Sequence, residues 1–406
     1  MMIKESHKHQ DTYSLDLKIS KPVTQQYPYF LNIILGTSCF LLMFQLYFIA
    51  PLIPGYFNEF NSTLLEMSIP AFAIPFAFAA AGMVLFPSTI KKPDKWFSLS
   101  LLAMSLGSAA LSTVKSAEVF LLCRVLTGLG TGTMLPAALI LATRSVDKKK
   151  SFINMIAIIL YLATGMTFAP SIGGWLNESV GWRYLYQVTG ILTAGIWFLY
   201  TLFINKNHAH NYRQQYMVKG LSGMQLIRKG KNIYSFVFLS GVFHSGLFVW
   251  ISYYFTTQYK LNENEIATAL LILGLPGYIA TLLMLRYHLD AKVIRILYSG
   301  LALTIAALFT MMLNVPLWLA ECLLAVMSIG YCFTQPLFIG ILKLPLGGIS
   351  AGRLIAVGSG ILFAGYGTGP LMMAAFINAN KDFAIGFFVF LVITMGVLSR
   401  KIWRVK

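Results

Sequence analysis

One arginine lies inside a long apolar stretch of the chain and is the residue best suited to a chemical role. Arg124 occurs in the segment Leu121-Leu-Cys-Arg-Val-Leu-Thr-Gly128, several residues from the nearest polar boundary. A charged side chain inside a membrane costs at least about 2.5 to 3.5 kcal/mol, so it normally faces a partner or a water-filled cavity. We expect a functional role for Arg124; the alternative is that its long side chain only reaches back to the membrane surface.

Two other titratable residues lie within apolar stretches. His244 falls near the middle of one stretch, and Glu321 falls near the outer part of another. Either side chain is able to carry a proton or to contact a substrate. The alternatives, a hydrogen-bonded structural histidine and a water-exposed acid at a helix end, stay open.

Small residues and prolines mark places where helices are expected to bend or to pack closely. The spacing of small residue, three others, small residue, proline occurs twice, and a proline pair ends the first apolar run. Small residues let helix backbones approach one another, and proline removes a backbone hydrogen bond. The positions that we expect to act as packing or hinge points are Gly128, Gly130, Gly165, Pro170, Gly173, Gly174, Pro51, Pro54, Gly365 and Pro370.

The chain that carries these residues is too apolar for a water-soluble globule. Of its 406 residues, 57% are hydrophobic and 11% are charged, and the mean hydropathy is +0.71. Because about 20 apolar residues span a bilayer as a helix, the sequence predicts an all-α membrane protein of twelve spans. The predicted spans are 29–50, 65–87, 96–114, 117–143, 151–175, 184–205, 234–256, 265–286, 293–314, 316–341, 350–377 and 380–399.

The positive charges predict how these spans are oriented. With the N-terminus inside, 26 of the 31 lysine and arginine residues fall on the cytoplasmic side and four on the opposite side, and Arg124 lies within a span. Cytoplasmic loops of membrane proteins carry this excess of positive charge. Both termini are therefore expected in the cytoplasm, and the formal charge of +17 reflects topology rather than nucleic-acid binding.

A long polar segment divides the predicted spans into six and six. The expected organisation is a cytoplasmic tail at 1–28, a six-helix bundle at 29–205, a basic linker at 206–233, a second bundle at 234–400 and a tail at 401–406. The segments Gly165 to Pro170 and Gly365 to Pro370 occupy the fifth helix of each bundle, as a duplicated unit requires. The four cysteines show no metal-site or disulfide spacing.

Together these motifs resemble the major facilitator superfamily, and more narrowly its twelve-span, proton-coupled drug efflux branch. The resemblance rests on the six-plus-six plan, on Arg124 with Gly128 and Gly130, on the segment from Gly165 to Gly174, and on Pro51 with Pro54. In that family the fifth-helix motif marks antiporters that export, and the arginine on the fourth helix takes part in proton handling. The resemblance assigns that role to Arg124.

The sequence departs from the family pattern at two motifs. Ala169 replaces the usual second glycine of the fifth-helix motif, and the loop after the second span reads Pro87-Ser-Thr-Ile-Lys-Lys92 in place of a motif containing Asp and Arg. In the family, that Asp-Arg pair helps to latch the cytoplasmic side closed. Its absence puts ordinary gating in doubt.

The resemblance also implies which helices line a central cavity: one, four, five, seven, ten and eleven. Aromatic side chains on these helices are able to stack on a flat or cationic substrate. The substrate-contact candidates are Tyr47, Tyr161, Phe168, Phe248 and Tyr331. For each of them, a packing or lipid-facing role is the alternative.

The leading hypothesis is a proton-coupled antiporter that exports a small organic molecule, such as a drug-like compound, a siderophore or another metabolite, by alternating access. A proton-coupled symporter or facilitator that imports a metabolite, and a transport-dead membrane sensor, are the alternatives. Arg124, Glu321 and His244 are the proton-coupling candidates. No catalytic motif predicts an enzyme, and no metal or cofactor is expected beyond a proton gradient. We expect a monomer in the inner membrane of a bacterium, with a small molecule, protons and lipid as its partners.

Overall fold

The structure is a computed structural model that describes residues 29–85, 92–142, 148–203, 222–286, 293–333 and 351–403. The predicted N-terminal tail, the loop at 86–91 after the second span, most of the predicted linker and residues 404–406 lie outside the described residues.

The regular secondary structure of the described residues is entirely helical, without a β-strand. In chain order the α-helices are α1 Tyr29–Tyr47, α2 Ile53–Phe60, α3 Leu64–Ser68, α4 Ile74–Leu85, α5 Pro93–Leu111, α6 Ala117–Ala142, α7 Lys148–Val180, α8 Trp182–Phe203, α9 Gly223–Lys229, α10 Lys231–Gln258, α11 Glu263–Arg286, α12 Val293–Met311, α13 Leu317–Cys332, α14 Ala351–Ala379 and α15 Lys381–Trp403. A 3₁₀ turn at Ala50–Leu52 links α1 to α2, and a π turn at Ile69–Ala73 links α3 to α4.

Nine helices among the described residues are long and apolar enough to cross a membrane. Two shorter apolar helices, Arg295–Met311 and Leu317–Cys332, accompany them. Every predicted span overlaps a described helix, whereas residues 334–341 of the tenth predicted span and a few end residues of other spans lie outside the described residues. The all-α membrane class is confirmed, whereas the count of twelve spans and the cytoplasmic placement of the termini stay predictions.

The helices pack in a pattern that the chain uses twice. In the first part α1 packs on α7, α4 on α6, and α5 on both α6 and α8. In the second part α10 packs on α14, α11 on α13, and α12 on both α13 and α15. The two parts, called here the N-half (29–203) and the C-half (231–403), join through α7 with α11 and through α4 with α14.

Glycines at equivalent positions make the two matching helix contacts possible. A Cβ on Gly165 of α7 would lie 2.5 Å from the carbonyl oxygen of Phe40 in α1. A Cβ on Gly365 of α14 would meet the Phe238 carbonyl oxygen and lie 2.9 Å from the Gly241 Cα in α10. Only a glycine leaves room for the neighbouring helix backbone at these two positions. The repeated motif therefore forms the same kind of close helix contact in each half, between α7 and α1 and between α14 and α10.

Candidate transport site between the two halves

Arg124 of α6 is fully buried and its guanidinium is held by three helices of the N-half. Its Nε donates to the Pro70 carbonyl at 3.2 Å, and its Nη2 donates to the Ala71 carbonyl. Its Nη1 donates to the Gln45 carbonyl at 3.1 Å and to the Tyr186 hydroxyl at 3.3 Å. The side chain therefore does not reach back to the membrane surface.

Breaks in the helices explain why these carbonyls need Arg124. The Ile74 N–H bonds to the Ile69 carbonyl in the π turn, which leaves the Pro70 carbonyl without its usual backbone donor. Pro75 has no N–H, so the Ala71 carbonyl also lacks a donor. Gln45 lies in the last turn of α1, where carbonyls have no partner within the helix. Arg124 supplies the donors that three broken backbone turns lack.

No carboxylate contacts Arg124 within the described part of the chain. Its charge is balanced by carbonyl dipoles and by one phenol. The described contacts therefore show a structural role for Arg124 in joining α1, α3–α4, α6 and α8, and its role in proton handling stays a prediction.

A group of aromatic rings lies where the two halves meet. This interface ring cluster consists of Tyr47, Phe76, His244, Phe248, Tyr331 and Tyr366. The Tyr47 ring of α1 makes edge contacts with Phe76, with Phe248 at 5.3 Å and with Tyr366 at 5.9 Å. The His244 ring stacks on Tyr331 at 4.9 Å and meets the edge of Phe248 at 5.1 Å. Both halves thus contribute rings to one continuous cluster.

Two polar atoms in the cluster are buried without a hydrogen-bond partner among the described residues. They are the Tyr47 hydroxyl oxygen and the His244 Nε2. The Tyr331 hydroxyl, in contrast, bonds to the Ser240 hydroxyl at 2.9 Å. A buried unpaired polar atom costs about 1 to 3 kcal/mol, so each such atom requires an explanation.

The cluster lies deep within the helical bundle. His244, Tyr331 and Tyr366 each lie 13 or 14 residues from the helix ends at Gln258, Leu317 and Ala379. At 1.5 Å per residue this is about 20 Å, which approaches the middle of a membrane-spanning bundle. Substrate sites of transporters built from repeats lie at this depth between the repeats.

The end of the bundle that is predicted to face outward is held together across the halves. The Asn177 Nδ2 of α7 donates to the Glu263 carboxylate of α11 at 2.6 Å. Nearby, the Ser171 hydroxyl donates to the Ala267 carbonyl at 2.9 Å, and the Ser252 hydroxyl donates to the Ala50 carbonyl at 3.2 Å. These contacts, called here the outer contacts, close this end above the ring cluster.

The remaining candidate residues lie apart from the cluster. Glu321 is half-buried near the start of α13, Tyr161 packs on Gly36 of α1, and Phe168 meets Tyr278 of α11 at 6.0 Å. Of the five aromatic candidates, the structure brings together Tyr47, Phe248 and Tyr331. Among the proton-coupling candidates, His244 alone joins them.

The predicted packing positions lie at helix contacts. Gly128 faces Pro75 of α4, Gly130 faces Met104 of α5, Gly173 faces Phe48, and Gly174 faces Ala267 of the other half. Pro51 is buried in the 3₁₀ turn, Pro54 is the second residue of α2, and α7 and α14 continue as helices through Pro170 and Pro370. Their role as hinges stays a prediction.

Three residues of the site escaped the sequence reasoning. Phe76 lies on the second span, which the family resemblance does not place at the cavity. Tyr366 lies within the packing motif Gly365-Tyr-Gly-Thr-Gly369 and was not predicted to contact substrate. A single aromatic residue among small ones could have indicated such a contact. Gln45 is buried, and its Oε1 accepts a hydrogen bond from the Ser108 hydroxyl at 2.6 Å.

Curated proteins similar to this chain are transporters. MFS-type transporter TOXA of Cochliobolus carbonum is 24% identical over 252 residues, which are 59% of this chain and 43% of that protein. Multidrug resistance protein B homolog of Mycobacterium tuberculosis is 28% identical over 122 residues, 28% of this chain and 23% of that protein. A Bacillus subtilis protein named as a niacin/nicotinamide transporter, NiaP, is 27% identical over 209 residues, 49% of this chain and 52% of that protein. The alignments span about half or less of these relatives.

Solved structures share the fold over nearly the full chain. A bacterial homolog of the human lysosomal transporter Spinster, in an inward-facing and occupied conformation, has a TM-score of 0.68 at 15% identity. The match covers 95% of this chain and 97% of that one. The human organic anion transporter MFSD10 has a TM-score of 0.64 at 17% identity, with coverage of 90% and 97%.

A family model matches most of the sequence. The model described as Major Facilitator Superfamily matches residues 35–370, a range that includes Arg124, the segment from Gly165 to Gly174, and all six residues of the ring cluster. The chain is a multi-pass membrane transporter rather than an enzyme, and it belongs to the major facilitator superfamily.

Proposed function

We propose that this transporter exports a small organic molecule from the cytoplasm in exchange for protons, and that the interface ring cluster is its substrate site. The observation that carries the proposal is the cluster itself, in which rings from both halves surround two buried, unpaired polar atoms. Relatives named as a multidrug resistance protein homolog and as an efflux pump support export.

The proposed cycle alternates the exposure of the cluster between the two sides. Because Tyr47 and Phe76 belong to the N-half and the other cluster residues to the C-half, separation of the halves at either end opens the site to that side. Release to the outside requires the outer contacts to break, including the hydrogen bond between Asn177 and Glu263. Release of these polar contacts costs little, since water replaces them.

His244 is the proposed proton carrier. It contacts the substrate site directly, whereas the donors of Arg124 are occupied by carbonyls and Glu321 lies far along another helix. The titratable groups that face His244 from the packed helices are the phenols of Tyr331 and Tyr366, and the described residues place no carboxylate against it. An imidazole is able to gain and lose a proton, as a proton-coupled step requires.

The proposal also covers the oligomeric state, the membrane and the energy source. The transporter works as a monomer in the inner membrane of a bacterium, with the proton gradient as its energy source and no cofactor. Each half contributes half of the site, so one chain is sufficient.

Import of a metabolite with protons is the second candidate. The likeness to the Bacillus subtilis relative named as a niacin/nicotinamide transporter favours it, because that alignment covers about half of each chain. Import and export differ in which side loads the substrate, and the ring cluster is compatible with both.

Everted membrane vesicles separate these candidates. Respiration acidifies the vesicle interior and quenches a pH-sensitive acridine dye, and a set of organic compounds is then added one at a time. Proton-coupled export predicts recovery of the dye signal with some compounds in vesicles that contain the wild-type chain, and none in vesicles without it. Respiration-driven uptake of a compound by right-side-out vesicles, with no recovery of the dye signal in everted ones, would favour import, and transport that ignores the pH gradient would contradict proton coupling.

A further inference from the structure

Resting on the proposed function, we infer that the substrate is an uncharged, flat ring compound that accepts a hydrogen bond from the Tyr47 hydroxyl and donates one to the His244 Nε2. The two unpaired buried atoms would then become paired when the site is filled.

The walls of the site favour a flat molecule. The rings of Tyr47, Phe248 and Tyr366 meet one another edge to face, and His244 stacks on Tyr331 with an interplanar angle of 23°. Aromatic pairs in these arrangements are stabilised beyond what the buried area alone provides. A planar ring inserted between the halves gains such contacts from both sides, while an aliphatic chain gains only the burial.

The surroundings of the site disfavour a charged molecule. Arg124 is the one fully buried charged side chain among the described residues, and its donors point to the carbonyls of Gln45, Pro70 and Ala71. An ion in the cluster would lose its hydration without a described counter-ion. The attraction of a cation to the ring faces is weaker than the hydration that the cation loses.

The Tyr47 hydroxyl and the His244 Nε2 determine which hydrogen-bonding groups the substrate needs at its edge. A phenol hydroxyl donates, and the Nε2 of a neutral imidazole with its proton on Nδ1 accepts. A substrate that donates to Nε2 loses this bond when His244 gains a proton there. Protonation therefore expels such a substrate, which is what an exchange of protons for substrate requires. An anion would bind more tightly to the protonated imidazole, and that outcome belongs to symport.

Three probes of one shape test the inference: 2-naphthamide, 2-naphthoate and 2-naphthamidinium, which are neutral, anionic and cationic. Their binding to the purified full-length protein in detergent is measured at pH 8 by the shift in melting temperature as the probe concentration rises. We expect the amide to stabilise the protein and the two ions to do so less. Greater or equal stabilisation by either ion, or no stabilisation by any of the three, would overturn the inference.

Matched variants locate the effect. Tyr47→Phe removes one hydroxyl and is expected to weaken the amide about two- to tenfold, which corresponds to one neutral hydrogen bond. Tyr234→Phe is the control, because the Tyr234 hydroxyl is also buried and unpaired but lies in a separate apolar cluster with Leu226 and Leu354. Unchanged amide affinity in Tyr47→Phe would count against the inference. Amide binding that persists while transport ignores the pH gradient would refute the coupling and leave the substrate class intact.

Discussion

The two halves of this transporter pack their helices alike but differ in chemistry. Gly130 of α6 and Gly330 of α13 occupy equivalent contacts, facing Met104 of α5 and Thr304 of α12. By the same spacing, Leu324 takes the place of Arg124. The helices that Arg124 joins are broken at the 3₁₀ and π turns, whereas the equivalent α10 and α11 run without interruption as α-helices from Lys231 to Gln258 and from Glu263 to Arg286.

This difference indicates that Arg124 is required because the helices around it are broken. Where the backbone is continuous a leucine is sufficient, and where carbonyls lose their donors a guanidinium replaces them. The C-half instead contributes His244, the proposed proton carrier, which stacks on Tyr331 in the ring cluster. On this account the N-half supplies a fixed support and the C-half supplies the titratable group.

The largest effect is expected from making the N-half like the C-half at one position. Arg124→Leu leaves the carbonyls of Gln45, Pro70 and Ala71 buried without donors, so we expect a loss of about 3 kcal/mol or more in stability. Fluorescence-detected size exclusion after heating measures it as a lower melting temperature and less monodisperse protein.

The matched control is Leu324→Met, which keeps the side-chain volume and is expected to cost less than about 1.5 kcal/mol. If Arg124→Leu instead melts like the wild type and only transport is lost, the structural role of Arg124 is wrong and the family's proton-handling role is favoured.

Equal effects are expected where the halves are alike. Gly165→Ala and Gly365→Ala each place a Cβ against the backbone of a neighbouring helix, so each should lose about 1 to 3 kcal/mol and slow transport. Gly195→Ala is the control, since no atom lies within 4 Å of its added Cβ. A melting temperature that falls in only one of the two motif variants would mean that the repeat does not serve the same purpose in both halves.

A smaller effect is expected at the outer contacts. Asn177→Ala removes one hydrogen bond between the halves, worth about 1 kcal/mol, and should open the outer end about fivefold more often. The measurement is the labelling rate of Ala50→Cys, in a chain without the native cysteines, by a membrane-impermeant maleimide added from outside. The Ala50 side chain is buried, and its carbonyl still accepts the hydrogen bond from Ser252 in this variant. Thr257→Ala, which changes an exposed hydroxyl bonded within α10, should leave that rate unchanged. Equal rates in both variants would show that the bond does not hold the halves closed.

The smallest effect is expected from a change that tests whether Arg124 compensates for the helix break at Pro75. Pro75→Ala restores an N–H that is able to reach the Ala71 carbonyl, so it should recover about 1 kcal/mol of the stability that Arg124→Leu loses. The comparison is a double-mutant cycle of melting temperatures. Strict additivity of the two changes would mean that Arg124 and the Pro75 break are independent.

The sequence was sufficient for the all-α membrane class and for the family, because the signals for both are short local patterns. Apolar runs bounded by charge predict the spans, and the spacing of Gly165 to Pro170 and Gly365 to Pro370 predicts the repeat, which the structure places against α1 and α10. The site required three-dimensional packing. Tyr47 and Tyr161 are both tyrosines on helices expected at the cavity, yet one joins the ring cluster and the other covers Gly36. The partners of Arg124 depend on a π turn, and a proline pattern does not specify which carbonyls such a turn leaves free.

The central claim is that Arg124 supports the fold while His244 carries the proton. It is tested most directly by measuring transport by His244→Gln in proteoliposomes. Glutamine keeps a hydrogen-bonding group at this position but cannot exchange a proton, so transport driven by a pH gradient should be lost. Exchange of labelled for unlabelled substrate across the same membranes, without a gradient, should continue. Transport by His244→Gln that still follows the pH gradient would contradict the account, since protons would then be carried by another group.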